Sequence, residues 1–182
     1  MMTEPRAGRS LPADNLHAIV GHHLWATLRL IDRCMELAPE QLELSTPGTF
    51  GSIHATLDHM VRADGSFLHW IVEGQVGGSP QQPLAPVATL RADMERHAEG
   101  WRQLLSRVDE LRAPTEAEEG GEPYPGFASN LGVFLTQALH HGAEHRSHVC
   151  SVLGAHGLEV PDLSGWGFAQ LGAGAASDRD RE

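Results

Sequence analysis

Apolar residues recur at steps of three and four along four long stretches of the chain, and none of these stretches alternates strictly as a strand requires. The first begins after Pro12, where Asp14 can cap it. It carries Leu16, Val20, Leu24, Leu28, Ile31 and Met35 on one side and stops before Pro39. A Ser-Thr-Pro-Gly turn at 45–48 precedes the second, whose stripe is Ile53, Leu57, Met60, Phe67 and Ile71, with Asp64 interrupting it and Gly74, Gly77, Gly78 and Pro80 closing it. The third is the most regular: Leu90, Met94, His97, Trp101, Leu104, Val108 and Leu111 follow one another without a break. The fourth runs from about Asn130 to about Leu153 with Leu131, Phe134, Ala138, Val149 and Val152 on its stripe, and Gly154 and Gly157 end it.

Four helices of about 20 to 25 residues predict an all-α four-helix bundle. The pattern places a single domain over 14–171, after a flexible N-terminus at 1–13 and before a disordered tail at 172–182 made of small and charged residues. The connections at 74–86 and 114–129 are longer than an up-down bundle needs, so one of them can cross the bundle end. Pro114 to Phe127, rich in Glu, Gly and Pro, reads as a loop beside the site.

Composition narrows the chemistry. The 182 residues carry 13 Lys+Arg against 24 Asp+Glu, a formal charge of −11, which argues against a nucleic-acid partner. Every basic residue is Arg. Lysine Schiff bases, lysine general bases and a phosphate-loop lysine are thereby excluded. Cys34 and Cys150 are far apart and give no disulfide framework, and no stretch approaches the length of a membrane span, so a cytoplasmic protein with no membrane partner is expected. The surplus is in 12 His.

The fourth helix contains HHGAEHRSH, from His140 to His148, and continuing its stripe from Ala138 lands on His141 and His145. Imidazoles four apart on a helix lie one turn above each other, so both can reach one ion at about 2.0–2.1 Å. The pattern is not that of a zincin, because Glu144 stands at the wrong offset. His140, Glu144 and His148 form a neighbouring, wetter stripe, from which His148 could also serve as a ligand. For a third ligand the second helix offers His54, Asp58, His59 and His69, and spacing alone does not choose among them. His22 and His23 read as surface or pocket-rim residues, and His97 as a core histidine with one hydrogen bond.

Taken together, GHHLWATLRLIDRCMEL, GSIHATLDHMVRADGSFLHWI, HHGAEHRSHV and GLEVPDLSGWGFA resemble the DinB-like (YfiT-like) metal-binding four-helix-bundle family from about Asn15 to about Ala169. The most specific elements are L-x-H-M in the second helix and H-x-x-x-H-R in the fourth. The resemblance implies a three-histidine metal site at His59, His141 and His145. It also implies a divalent ion such as zinc, nickel or iron, and a homodimer. Characterised members include thiol S-transferases using bacillithiol or mycothiol and a maleylpyruvate isomerase. The family's Asn-x-x-Trp-like segment is here His22-x-x-Trp25, a departure in the first helix.

Three neutral imidazoles leave an ion with an open position, the arrangement of a catalytic site. The expectation is a metal-dependent transferase that activates a low-molecular-weight thiol for a small-molecule substrate, with Glu144 or His148 orienting a ligand ring. A hydrolase that activates water at the same ion, and a non-catalytic metal or ligand binder, are the alternatives.

Overall fold

The computed structural model describes residues 11–73, 75–76, 82–107, 115–116 and 131–170. Four long helices build it: α1 (Leu11–Met35), α3 (Ile53–Glu73), α4 (Val87–Leu105) and α5 (Leu131–Ala155), with a single turn α2 (Pro39–Leu42) after the first. A short helix, α6, covers 165–170. The expected all-α bundle is the observed one. Two strands of two residues each were not anticipated: Gln75 and Val76 (β1) pair in parallel with Thr115 and Glu116 (β2). The pairing satisfies backbone groups of the two long connections that carry these residues.

Local signals explain the helix ends. Pro12 sits in the first turn of α1, where its missing N–H costs nothing, so the helix starts at Leu11 rather than after the proline. Ser52 caps α3, its hydroxyl accepting from the Ala55 amide at 3.2 Å. At the end of α5, Gly157 takes φ +67° while Leu158 N–H bonds Leu153 C=O and Gly157 N–H bonds Gly154 C=O, the Schellman closure. Helix α4 ends at Leu105, and the expected stripe positions Val108 and Leu111 lie outside the described residues, as do 1–10 of the expected flexible N-terminus and the tail at 172–182.

Around the bundle the order is α1, α4, α3, α5, so α1 and α3 stand at opposite corners and so do α4 and α5. The connection from α1 to α3 and that from α4 to α5 both join diagonal corners. Only the 74–86 connection links neighbours. The stripes predicted for α3 and α4 enter the core, with Trp101 among its largest fully buried side chains. On α1 the buried face is rotated from the expected one: Leu30 and Cys34 are buried, Leu16 and Leu28 are only partly so, and Met35 is exposed. A stripe stepped by fours drifts off a 3.6-residue period, and the true face includes His23 and Thr27.

Candidate metal centre

Helices α3 and α5 are neighbours, and their facing sides carry the cluster. His59 extends from the second turn of α3, and His141 and His145 from the middle of α5. His141 Nε2 lies 3.1 Å from His59 Nε2 and 3.1 Å from His145 Nε2. A single Nε2 has one proton or one lone pair to offer, so hydrogen bonding can satisfy only one of these approaches. A shared cation satisfies both, since nitrogens held about 2.0–2.1 Å from a tetrahedral ion are about 3.3 Å apart. One ligand atom from each residue falls within 4.8 Å of the others, and no second group of this kind occurs among the described residues.

The electrostatics favour ligation. Burial, reinforced by the neighbouring imidazoles, lowers His141 and His145 from 6.5 to about 4. Burial also lowers His59, against the opposing charge of Asp58. All three rings are therefore neutral at physiological pH and present lone pairs without first releasing protons. With its Nε2 turned to the cluster, His145 Nδ1 is buried and has no polar partner among the described residues.

Two aromatic rings wall the site, and the sequence places neither of them there: Phe50 follows a turn, and Phe67 reads only as a core position of α3. Phe50 stacks on His59 at 4.4 Å and meets His145 edge-on at 4.9 Å, yet is 51% exposed. The turn 46–49 places it there, with Thr46 C=O accepting from Thr49 N–H and Gly48 at φ +87°. Phe67 meets His141 edge-on at 5.7 Å.

The other histidines and acids named from sequence have different partners. His54 Nε2 bonds Ala85 C=O at 2.8 Å, and Asp58 accepts from Ala85 N–H at 2.8 Å and from Arg62 at 2.7 Å, so both fasten the segment before α4. His69 and His140 are exposed. Glu144 is exposed and does not hydrogen-bond the His145 ring, whereas His148 packs edge-on against that ring at 5.5 Å. Apart from 115–116, the loop expected beside the site lies outside the described residues.

Of the pair expected at the surface or a pocket rim, His23 departs from that reading. His22 is part-buried and donates to Leu163 C=O at 2.8 Å, fastening the segment before α6 to α1, where Phe168 packs on Trp25. His23 is 3% exposed, with its Nε2 2.8 Å from Asp64 Oδ1. A carboxylate inside a bundle requires partners, and Asp64 collects them from two other helices. Trp101 N–H donates to both its oxygens at 3.1 and 3.2 Å. His97, read from sequence as core, keeps a 20% exposed side chain. Its Nδ1 lies 3.3 Å from Asp64 Oδ2, within ion-pairing reach but off the angle of a hydrogen bond. Burial pushes Asp64 up, but the His23 hydrogen bond and the His97 ring outweigh it and hold the carboxyl well below the usual carboxylate range.

A four-helix bundle with three converging histidine nitrogens from adjacent helices defines the class: an α-helical protein whose side carries a group able to hold a metal ion. The DinB family profile matches residues 12–174, and the chain belongs to that family. No curated protein matches the chain. No helix among the described residues is long and apolar enough to cross a membrane.

Proposed function

We propose that the chain is a metal-dependent transferase that uses a low-molecular-weight thiol of the bacillithiol or mycothiol kind, with zinc, nickel or iron held by His59, His141 and His145. The observation that carries this reading is the convergence of three neutral Nε2 atoms, two of the approaches being 3.1 Å. A bound divalent ion supplies Lewis acidity, which brings the pKa of a bound thiol or water towards neutrality. The chain's own part is to hold the three lone pairs in place and to screen them with Phe50 and Phe67. We infer a homodimer in the cytoplasm as its working state, on the family resemblance and the absence of a disulfide framework.

The test is turnover of a panel of small thiols with electrophiles by metal-loaded wild type and His145→Ala, beside elemental analysis of protein purified without an affinity tag. Thiol-dependent turnover by the wild type alone is expected. Equal activity in the two proteins rejects the reading. Turnover without thiol identifies a hydrolase, and one bound ion with no turnover identifies a metal-binding protein.

A further inference from the structure

Next to the cluster, four helices meet in one buried polar group. Asp64 comes from α3, His23 and Thr27 from α1, Trp101 from α4 and Arg146 from α5. Arg146 NH1 donates to His23 Nδ1 at 3.1 Å and to Thr27 Oγ1 at 3.0 Å. Guanidinium can only donate, so His23 Nδ1 accepts and its Nε2–H faces Asp64. The ring is thus a directed link from α5 to α3.

The neighbours in sequence give that link a purpose. Arg146 follows His145, and Gly142 follows His141. At Gly142 an added Cβ would lie 2.5 Å from His23 Cε1 and 2.9 Å from His23 Nδ1, so the imidazole rests on the α5 backbone between the two ligand positions. Asp64 lies on α3, the helix that carries His59. Helix α1 contributes no ligand, yet its one buried histidine touches both helices that do.

We propose that His23 is a positioning residue for the metal centre: by bonding Asp64 and Arg146 at once it fixes the spacing between α3 and α5, and hence the convergence of the three ligand nitrogens. The inference rests on the metal reading above. A hub that served only stability would respond to loss of any of its bonds alike. A positioning link responds chiefly to loss of the bond between the ligand-bearing helices.

The experiment measures zinc affinity by chelator competition and the d–d spectrum of cobalt-loaded protein, beside urea unfolding, for wild type, His23→Leu, His23→Gln and Trp101→Phe. His23→Leu is expected to weaken zinc binding by about tenfold or more and to change the cobalt spectrum. His23→Gln, whose amide can accept from Arg146 and donate to Asp64, is expected to return affinity to within about threefold of wild type. Trp101→Phe is expected to lose stability while keeping both metal readouts. Unchanged affinity and spectrum in His23→Leu overturn the proposal, as does a Trp101→Phe protein that matches it. If His23→Leu does not fold, His23→Asn decides. Its shorter amide can accept from Arg146 but does not reach Asp64, so it should weaken zinc by about threefold or more, and wild-type behaviour in it overturns the proposal. A wild-type protein that binds neither zinc nor cobalt defeats the metal reading itself, a separate failure.

Discussion

Replacing a glycine inside a helix by alanine ordinarily stabilises a protein by about 1 kcal/mol, because glycine gives up more backbone freedom on folding. Gly142→Ala should do the opposite. The new methyl would stand 2.5 Å from His23 Cε1, 2.9 Å from His23 Nδ1 and 3.1 Å from Arg146 NH1. His23 has nowhere to retreat, since it is bonded at both nitrogens and meets Trp101 edge-on at 6.5 Å. Overpacking of this kind costs about 1–3 kcal/mol. If the ring swings away, a buried carboxylate loses a donor at a cost of about 1–3 kcal/mol more. Set against the gain of about 1, the expected loss centres on about 3 kcal/mol, or about 6–12 °C in melting temperature for a chain of this size. Gly154→Ala on the same helix is the comparison. Its methyl would meet only Val160 Cγ2 at 3.7 Å, so it should be neutral or gain up to about 1 kcal/mol. Urea and thermal unfolding followed by helical circular dichroism read both. A Gly142→Ala protein as stable as wild type would refute the placement of the His23 ring on α5.

Acid should weaken the metal-free fold. His141 and His145 fall from 6.5 to about 4 on folding, so the unfolded chain binds protons first and stability declines as pH drops from about 7 towards 4. A His141→Asn/His145→Asn protein should lose about 2 kcal/mol less than wild type between about pH 7.5 and 5 in chelator, after discounting for solvent screening of the two rings, and parallel pH slopes would contradict this. Phe50→Ala removes the ring stacked on His59 and should weaken zinc binding by about two- to tenfold in chelator competition, with little change in unfolding. Asp58→Ala should cost about 1–3 kcal/mol and speed hydrogen exchange at the Ala85 amide, which Asp58 accepts at 2.8 Å, and an unchanged exchange rate would dismiss that tether.

Periodicity made the bundle legible, because the stripes on α3 and α4 are also their core faces. His141 and His145 could be read for the same reason: they occupy positions where the α5 stripe calls for apolar side chains, and a polar group there needs a purpose. The third histidine of the cluster could not be read from spacing. His54, Asp58, His59 and His69 share one helix, and what separates them is which part of α3 meets α5, a tertiary fact. His23 was misread because a four-step stripe on α1 put the core on Leu28 and Met35, which turned His23 outward. Asp64 offered a signal, being a charge on a seam, but its partners lie on α1 and α4, and no local spacing identifies them. Phe50 follows a turn and has no helical period, so only the closure of that turn over the site reveals it.

Asp64, His23 and Arg146 are an expensive way to fill the middle of a bundle. Buried charged groups replaced by apolar residues of like volume often leave a protein equally or more stable, so stability alone does not account for them. What apolar packing lacks is direction: neighbouring helices can slide or rotate slightly and still bury the same surface. Ligand nitrogens cannot tolerate that, because distances to an ion are set within about 0.2 Å. Here α1 and α3 stand at opposite corners, so the His23–Asp64 bond spans the interior, and Arg146 brings α5 into the same link. Burial pulls Arg146 down to about 10, which still leaves it charged at neutral pH and able to donate to His23 continuously. The polar centre therefore supplies a fixed registry between α3 and α5 that the surrounding Leu, Ile and Val cannot.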